Sequence, residues 1–481
     1  SVFGLSQFLR KEGLQDGDRV AIALPNSVRF IESHLGIITA GGISVPLDFG
    51  IAENNFIRIC ENCAPRFLIA DKVSMQRVGI AAETNCLERI FLYGNEFNGD
   101  GSKIVLNLEN EIFCARSTNP TNAKVDSGSV ASLMYTTGTT GRAKGVPLMH
   151  SNIEAALRNI CNFIGYSKND REIVILPLSH NFGLCHVYCN LLNGGAVYTE
   201  NGLARVGRVL KKLSKFGATG FPGTPTGFGL LIDKYAPVLA EHGKGLRFSV
   251  INSAPLPPER TAQLHSLLPD LNILVYYGLT EASRSTFISL SKIGPKYYRS
   301  VGRPMPNLSV EILENSGLKV EQGGIGEIVI SGPTVVDGYW NNPDLNRITF
   351  KDGKIHTGDL GYIDPDGNLF ITGRMKDFIN VGGYKINPIE VEDVIIKYNG
   401  IEDVGVTGVE GLFGMTGDSV VAGIVVEDKA WDANALEKYC LKHLEKFKIP
   451  VAFLRIDTIP RTNTGKARRK ELRDLLIDQI K

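Results

Sequence analysis

Residues 135–145, YTTGTTGRAKG, gather three glycines, four threonines and two cations directly after the apolar-leaning run 130–134. Glycine frees the backbone to turn several N–H groups toward one point, and threonine hydroxyls add donors that suit phosphate oxygens. The stretch is therefore a candidate phosphate grip. It is not a Walker loop, which needs glycine directly before its lysine; Lys144 follows Ala143 and precedes Gly145. Nor does a G-x-G-x-x-G open a helix in a dinucleotide-binding unit. An ordinary turn of the same composition is the plain alternative, and the loop alone leaves both open.

Two cysteine groups also invite a chemical reading. CENC at Cys60–Cys63 has the spacing of a redox pair or half a zinc site, but no second CxxC follows, and the surrounding sequence reads as a helix leading into a strand. CHVYC at Cys185–Cys189, with His180 nearby, offers soft ligands without an acidic or water-binding partner. Packing thiols on helices are expected in both places. The eight cysteines of the chain, spread over 481 residues, lack the density of a secreted disulfide scaffold.

The elements that must position such a loop are legible in the alternation of short β-branched runs with amphipathic segments. RVAIALP, ISVPLD, RFLIAD, RIFLYG, IVILPL, GAVYTE, FSVINSA and NILVYYG are the strand candidates up to about residue 290, and their rhythm predicts βα units and parallel sheets. From about residue 300 the texture changes to strand and turn, with DPDG at 364–367 as a strong turn signal, which predicts antiparallel hairpins or a small barrel over about 300–372. After a polar turn at Arg374–Asp377, an α+β piece follows: a helix at 388–398, strands at about 403–410 and 418–427, a helix at 432–446 and a basic C-terminal helix. The expected fold is thus α/β, with a large part over 1–375 and a small α+β part over 376–481.

Composition narrows the partners. With 52 basic and 51 acidic residues the net charge is +1, so there is no global pull toward nucleic acid or an anionic membrane, and no nucleic-acid partner is expected. The most apolar stretch near the start, FIESHLGIITAGGISVPL, is interrupted by Glu32, His34 and a glycine pair, so no transmembrane segment and no signal peptide are expected. The expected compartment is the cytoplasm.

Four further stretches change the weight of the opening loop. YYGLTEAS at 276–283, IHTGDLGYIDPDG at 355–367, GRMKDFINVGGYKINPIEVE at 373–392 and PRTNTGKARR at 460–469 follow it in order. Together with YTTGTTGRAKGV, these resemble the motif series of the adenylate-forming superfamily, which includes acyl-CoA synthetases, luciferases and peptide-synthetase adenylation domains. The resemblance covers essentially the whole chain.

The resemblance implies ATP-dependent activation of a carboxylic acid to an acyl-AMP, with Mg²⁺, and transfer of the acyl group to a pantetheine thiol. Both reacting groups of the first step are anions, so the site needs cationic screening and a stabilised leaving group. Carried over residue by residue, Thr136, Thr137, Gly138, Thr139, Thr140, Gly141 and Lys144 would hold the leaving phosphates, and Thr280 would donate to the α-phosphate. Glu281 is the candidate Mg²⁺ ligand. Ser253, Ala254, Pro255, Tyr276, Tyr277, Gly278 and Ile371 fall in the nucleotide site, with Tyr277 offering a ring to adenine, and Asp359 and Arg374 would meet the ribose hydroxyls. Lys466, by itself an exposed surface lysine, would reach the reacting carboxylate and phosphates as the catalytic residue. Lys376 matches the hinge about which the small part would rotate, and Gly382 and Gly383 the pantetheine channel, although INVGGY departs from the K-x-K-G pattern of some relatives.

The acid is read at LPLSHNFGLCH, residues 176–186. Members that activate amino acids usually carry an Asp here for the substrate ammonium; this chain has His180, Asn181 and Phe182 instead. With Gly223 and Thr224 on a companion loop, these suggest a pocket for a fatty or other apolar acid, with an aryl or unusual amino acid activated by a stand-alone peptide-synthetase-type enzyme as the alternative. The thiol acceptor is CoA or an acyl or peptidyl carrier protein, because the basic tail (Lys442, Lys446, Lys448, Lys466, Arg468, Arg469, Lys470) suits either phosphate or an acidic protein surface. A nucleotide or acyl sensor with a spent site is the non-enzymatic reading, against which stand the intact Lys466, Asp359 and Glu281.

Overall fold

In the computed structural model the run RVAIA becomes the strand Arg19–Ala23, buried on both faces from Val20 onward, as an apolar strand inside a parallel sheet must be. The structure describes residues 1–78, 86–94, 104–105, 107–114, 125–137, 143–252, 256–314, 316–381, 384–412, 418–426, 431–461 and 467–480, with backbone alone at 78, 104, 105, 137, 143, 384 and 385. The strand lies in a seven-stranded sheet ordered Ile104–Val105, Arg89–Tyr93, Phe67–Asp71, Arg19–Ala23, Ile43–Pro46, Val130–Thr137, Ala143–Met149. Every neighbouring pair is parallel except the last.

A second sheet of nine strands starts with the parallel pair Phe248–Ile251 and Asn272–Tyr277. It continues antiparallel through Thr286–Ser289, Ser300–Pro304, Leu369–Arg374, Lys354–Ile363, Gly326–Ser331 and Ser309–Leu313, with Phe350–Lys351 beside Lys354–Ile363. The antiparallel strands expected from about residue 300 are therefore present, and DPDG turns the chain between Lys354–Ile363 and Leu369–Arg374. Their order is open among the described residues and runs on from the parallel pair, where the sequence suggested a small barrel. The exposed–buried alternation of Ser309–Leu313 fits an edge strand with one wet face.

The expectation of parallel pairing up to residue 290 fails at two places. Val130–Thr137 pairs antiparallel with Ala143–Met149, and Asn272–Tyr277 with Thr286–Ser289. The reason is the length of the connection: a parallel crossover needs a dozen or more residues, whereas 138–142 and 278–285 are only long enough to turn back. Both short connections belong to the motifs singled out above.

Between the two sheets lies the helix Asn181–Leu192, buried nearly all round. A helix buried nearly all round belongs inside a core, and Cys185 and Cys189 are two of its buried side chains. Polar bonds anchor it at its C-terminal half: fully buried Glu172, on the strand Arg171–Val174, accepts from the Tyr166 hydroxyl at 2.9 Å, pairs with His186 Nδ1 at 2.9 Å and accepts from Asn190. On the other side the buried His34, from the helix Val28–Thr39, meets Ser44 Oγ through Nδ1 at 2.7 Å and the Tyr188 hydroxyl through Nε2. These contacts tie the helix to the strand Arg171–Val174 on one side and, through His34 and Ser44, to the first sheet on the other.

Beyond the short 3₁₀ turn Met375–Asp377, where the linker was expected, come the hairpin Ile379–Val381/Tyr384–Ile386 and the helix Pro388–Ile395. A three-stranded sheet of Ile401–Glu410, Asp418–Val426 and Ala452–Arg455 follows, covered by Ala433–His443 on one face and Arg469–Ile480 on the other. The hairpin and the strand Ala452–Arg455 were not expected. Each is only three or four residues long, too short for a periodic signal. No helix among the described residues is long and apolar enough to cross a membrane.

Burial drives the His34 pKa down from 6.5 to about 3. Between these values the unfolded chain binds a proton that the folded chain does not, so this group's contribution is full above about pH 6.5 and is lost as pH falls, at up to about 1.4 kcal/mol per unit. In urea unfolding between about pH 6 and pH 4, His34→Leu should flatten the acid-side slope relative to the parent chain. An unchanged slope would show that His34 is protonated in the folded state.

Candidate active site

The candidate phosphate loop sits at the tip of a hairpin. Thr136 and Lys144 face each other in the register of its two strands, Thr137 ends the first strand, and Gly138, Thr139, Thr140 and Gly141 lie outside the described residues. The half-buried Lys144 ammonium stands 4.9 Å from the ring centroid of Tyr339. The Tyr339 hydroxyl donates to Glu281 Oε1 at 2.7 Å, and the neighbouring Trp340 N–H donates to the Gly145 carbonyl at 2.8 Å. Phosphate hairpin, Glu281 turn and the 339–340 segment therefore meet at one place.

Glu281 and Thr280 occupy the connection between Asn272–Tyr277 and Thr286–Ser289, both half-buried. This connection is tightly closed: Leu279 and Ala282 exchange backbone bonds at 3.0 and 3.3 Å, and Ser285 N donates to the Tyr277 carbonyl at 2.8 Å. At Gly278 a Cβ would come within 2.5 Å of Arg284 N, so only glycine fits. The Val336 N–H donates to the Glu281 carbonyl and holds the acid's backbone in place.

Asp359 and Arg374 are register partners on Lys354–Ile363 and Leu369–Arg374, and Arg374 Nε donates to Asp359 Oδ1 at 2.6 Å. The other oxygen, Oδ2, accepts from the Tyr277 hydroxyl at 2.7 Å. Burial and then the Asp359 charge push the Tyr277 pKa far up, so its hydroxyl stays a donor. Burial works against the Arg374 charge, but Asp359, Asp377 and Tyr277 together outweigh it and the pKa rises. The ring of Tyr277, expected to be offered to adenine, is buried in the core of the second sheet. Ile371 pairs with Gly361 in the same sheet and packs on that core.

Electrostatically these groups form one cluster. Burial lowers the Lys144 pKa; Glu281 acts to raise it, and Lys376 and Arg374 press it down further. Lys376, from the 3₁₀ turn Met375–Asp377, thus lies within charge reach of the hairpin. Lys466, Ser253, Ala254, Pro255, Gly382 and Gly383 lie outside the described residues. An isolated bridge between Arg461 and Ala467 closes the backbone on either side of the Lys466 segment.

The expected acyl residues separate. His180 precedes the helix Asn181–Leu192, its pKa lowered by burial, with Asp48 opposing. Asn181 Nδ2 donates to Ser283 Oγ at 3.1 Å, and Phe182 packs edge-on to Tyr276 at 5.5 Å. Tyr276 is thus part of this aromatic wall. Gly223 is pressed against Phe228, where a Cβ would come within 2.8 Å of the ring. Thr224 caps the helix Pro225–His242, accepting from Gly227 N at 3.2 Å, so its hydroxyl is already engaged. Three residues of the basic tail are paired within the chain: Lys448 with Glu390 and Glu445, Arg468 with Glu471, and Arg469 with Glu392 and Asp377.

Sequence reasoning missed Tyr339, Trp340 and Arg284. The aromatic pair in VVDGYWNNPD was a usable signal, because two large rings before a proline-started helix call for something to cover. Arg284 directly follows the quoted motif YYGLTEAS and was not singled out.

Comparison with known proteins follows the same outline. The AMP-binding enzyme family matches residues 2–340, and the AMP-binding enzyme C-terminal domain matches residues 390–466. An oxalate–CoA ligase of Arabidopsis thaliana is 29% identical over 469 residues, covering 97% of this chain and 90% of that protein. A long-chain-fatty-acid–CoA ligase of Bacillus subtilis is 31% identical over 496 residues, covering 97% and 87%. The crystal structure of ATP-bound MatB from Rhodopseudomonas palustris superposes with a TM-score of 0.89 at 27% identity, covering all of this chain and 93% of that one. Matched in order along both its parts, the chain belongs to the AMP-binding enzymes, the adenylate-forming superfamily, as an AMP-forming acid–thiol ligase.

Proposed function

We propose that the enzyme joins a carboxylic acid to AMP at the cluster around Lys144, and then passes the acyl group to the thiol of CoA. The observation that carries this reading is the convergence of three cations, Lys144, Arg374 and Lys376, with one carboxylate, Glu281. A lysine whose charge is opposed by burial and by two further cations and supported by Glu281 suits a polyphosphate.

In this reading Thr136 and Lys144, with Thr137, Gly138, Thr139, Thr140 and Gly141, hold the departing phosphates. Thr280 donates to the α-phosphate. Glu281 gives one oxygen to Tyr339 and has its other oxygen without a bond among the described residues, so it fits a hard cation such as Mg²⁺. When bound, Mg²⁺ supplies charge neutralisation at the phosphate oxygens. Asp359, already holding Arg374 and Tyr277, retains acceptor capacity for ribose hydroxyls.

Lys466 supplies the remaining charge, screening the two anions as the carboxylate oxygen approaches phosphorus. The part beyond residue 375 is the proposed mobile unit, with Lys376 at its hinge and Gly382 and Gly383 beside the pantetheine arm. The relatives named as CoA ligases favour CoA over a carrier protein as acceptor. Amino-acid activation is disfavoured, because the Arg284 guanidinium, beside Asn181 and Phe182, would repel a substrate ammonium. The relatives' names run from oxalate to long-chain fatty acids and do not choose a chain length.

Lys466→Ala should abolish acid-dependent ATP–pyrophosphate exchange while leaving ATP binding, read by calorimetry, within a few-fold. Exchange at the parent rate in that variant would refute the role of Lys466. Asp359→Ala leaves both the Tyr277 hydroxyl and the Arg374 guanidinium without their acceptor. It should weaken AMP binding at least roughly tenfold, about 1.4 kcal/mol, and lower the urea midpoint of unfolding as well. Parent-like AMP affinity would remove Asp359 from the nucleotide site.

A further inference from the structure

The least expected group near the acyl residues is Arg284. It is only 3% exposed and adopts φ +51°, a left-handed conformation that costs a side-chain-bearing residue free energy and persists only where the surroundings impose it. Its guanidinium lies 4.8 Å from the Tyr276 ring centroid and 5.7 Å from that of Phe182. Nη1 donates to the Asn181 carbonyl at 3.3 Å and to Ser283 Oγ at 3.0 Å, and Nη2 to the Phe182 carbonyl at 3.2 Å.

These partners satisfy hydrogen bonds but not charge. Among the described residues no carboxylate forms an ion pair with Arg284, and the buried acid of this region, Glu172, is engaged by Tyr166, His186 and Asn190. Asn181 and Phe182 are also the first two residues of the helix Asn181–Leu192, so the cation sits beside the positive end of a helix dipole. A buried cation so placed, without an anion, is electrostatically unfavourable. The same placement makes the spot a ready receptor for an anion, with the Asn181 amide and the Ser283 hydroxyl beside it.

We infer that Arg284 is a specificity residue that receives a second carboxylate of the substrate, so that the acid is a dicarboxylic acid. The inference rests on the adenylation reading, because it places one carboxylate at the phosphates and the other at Arg284. Thr280 and Arg284 lie on one closed turn, so the same short segment faces both ends of one acid. The distal carboxylate undergoes no chemistry; it pairs with the guanidinium while the proximal one attacks phosphorus and pyrophosphate leaves.

The test is ATP–pyrophosphate exchange by the full-length enzyme with succinate, glutarate and adipate against butyrate, valerate and hexanoate, with palmitate and benzoate as further acids. The parent should prefer the best diacid over the monoacid of equal length by roughly 100-fold or more in kcat/KM, and reject 4-aminobutyrate. Arg284→Met should erase that preference, lowering kcat/KM for the diacid far more than for the monoacid, and Arg284→Lys should restore part of it. A purely structural Arg284 would lower both acids alike and leave their ratio unchanged, which overturns the proposal. Because the parent's own ratio is read first, a variant that fails to fold does not shield the proposal. Exchange driven by monoacids alone, palmitate or benzoate included, overturns it while adenylation stands; no exchange with any acid overturns both.

Discussion

A single buried carboxylate, Asp359, joins three strands of the second sheet. It takes the Arg374 guanidinium on one oxygen and the Tyr277 hydroxyl on the other. Tyr277 is the last residue before the turn that carries Thr280 and Glu281, and Arg374 is the last before the turn that carries Lys376. This pairing therefore fixes where two short, functionally loaded turns begin. Remove it and the position of Glu281 relative to Lys144, and of the small part relative to the large one, loses its common reference. Burial makes the pairing obligatory, because an Asp359 carboxylate at 4% exposure has little water to fall back on.

Electrostatics around that reference point explains why the cluster is cationic. A carboxylate and a phosphate repel each other, and bulk water would have to be displaced before they touch. Fixed cations in a partly desolvated place replace the water that is lost, at no reorganisation cost during the reaction. The lowered pKa of Lys144 records the strain of the arrangement in the absence of anions: burial, Lys376 and Arg374 all press on its charge, and only Glu281 supports it. Bound phosphates would reverse that balance. Arg284 repeats the pattern at the far end of the acyl region, a buried cation whose partner is supplied by the ligand.

Much of this was legible in the amino-acid sequence, and the remainder was hidden for identifiable reasons. The alternation of apolar runs announced the strands of both sheets, and DPDG marked the turn that brings Asp359 opposite Arg374. Antiparallel pairing at the two motif turns could have been read from loop length alone, yet the regular βα rhythm around them suggested parallel strands. Tyr339 reaches Glu281 across 58 residues of chain, a contact that no local pattern encodes. Arg284 was invisible as a buried cation because EASRSTF has the polarity of a surface loop; only its left-handed backbone turns the side chain between Phe182 and Tyr276.

The central claim is that a carboxylate oxygen of the substrate bonds to the α-phosphorus of ATP. It is tested most directly by supplying an acid substrate labelled with ¹⁸O in the reacting carboxylate, together with ATP, Mg²⁺ and CoA, and following the label by mass spectrometry. One labelled oxygen should appear in AMP, with none in the released pyrophosphate. Label in inorganic phosphate with ADP as the nucleotide product would place the attack at the γ-phosphorus and contradict the account.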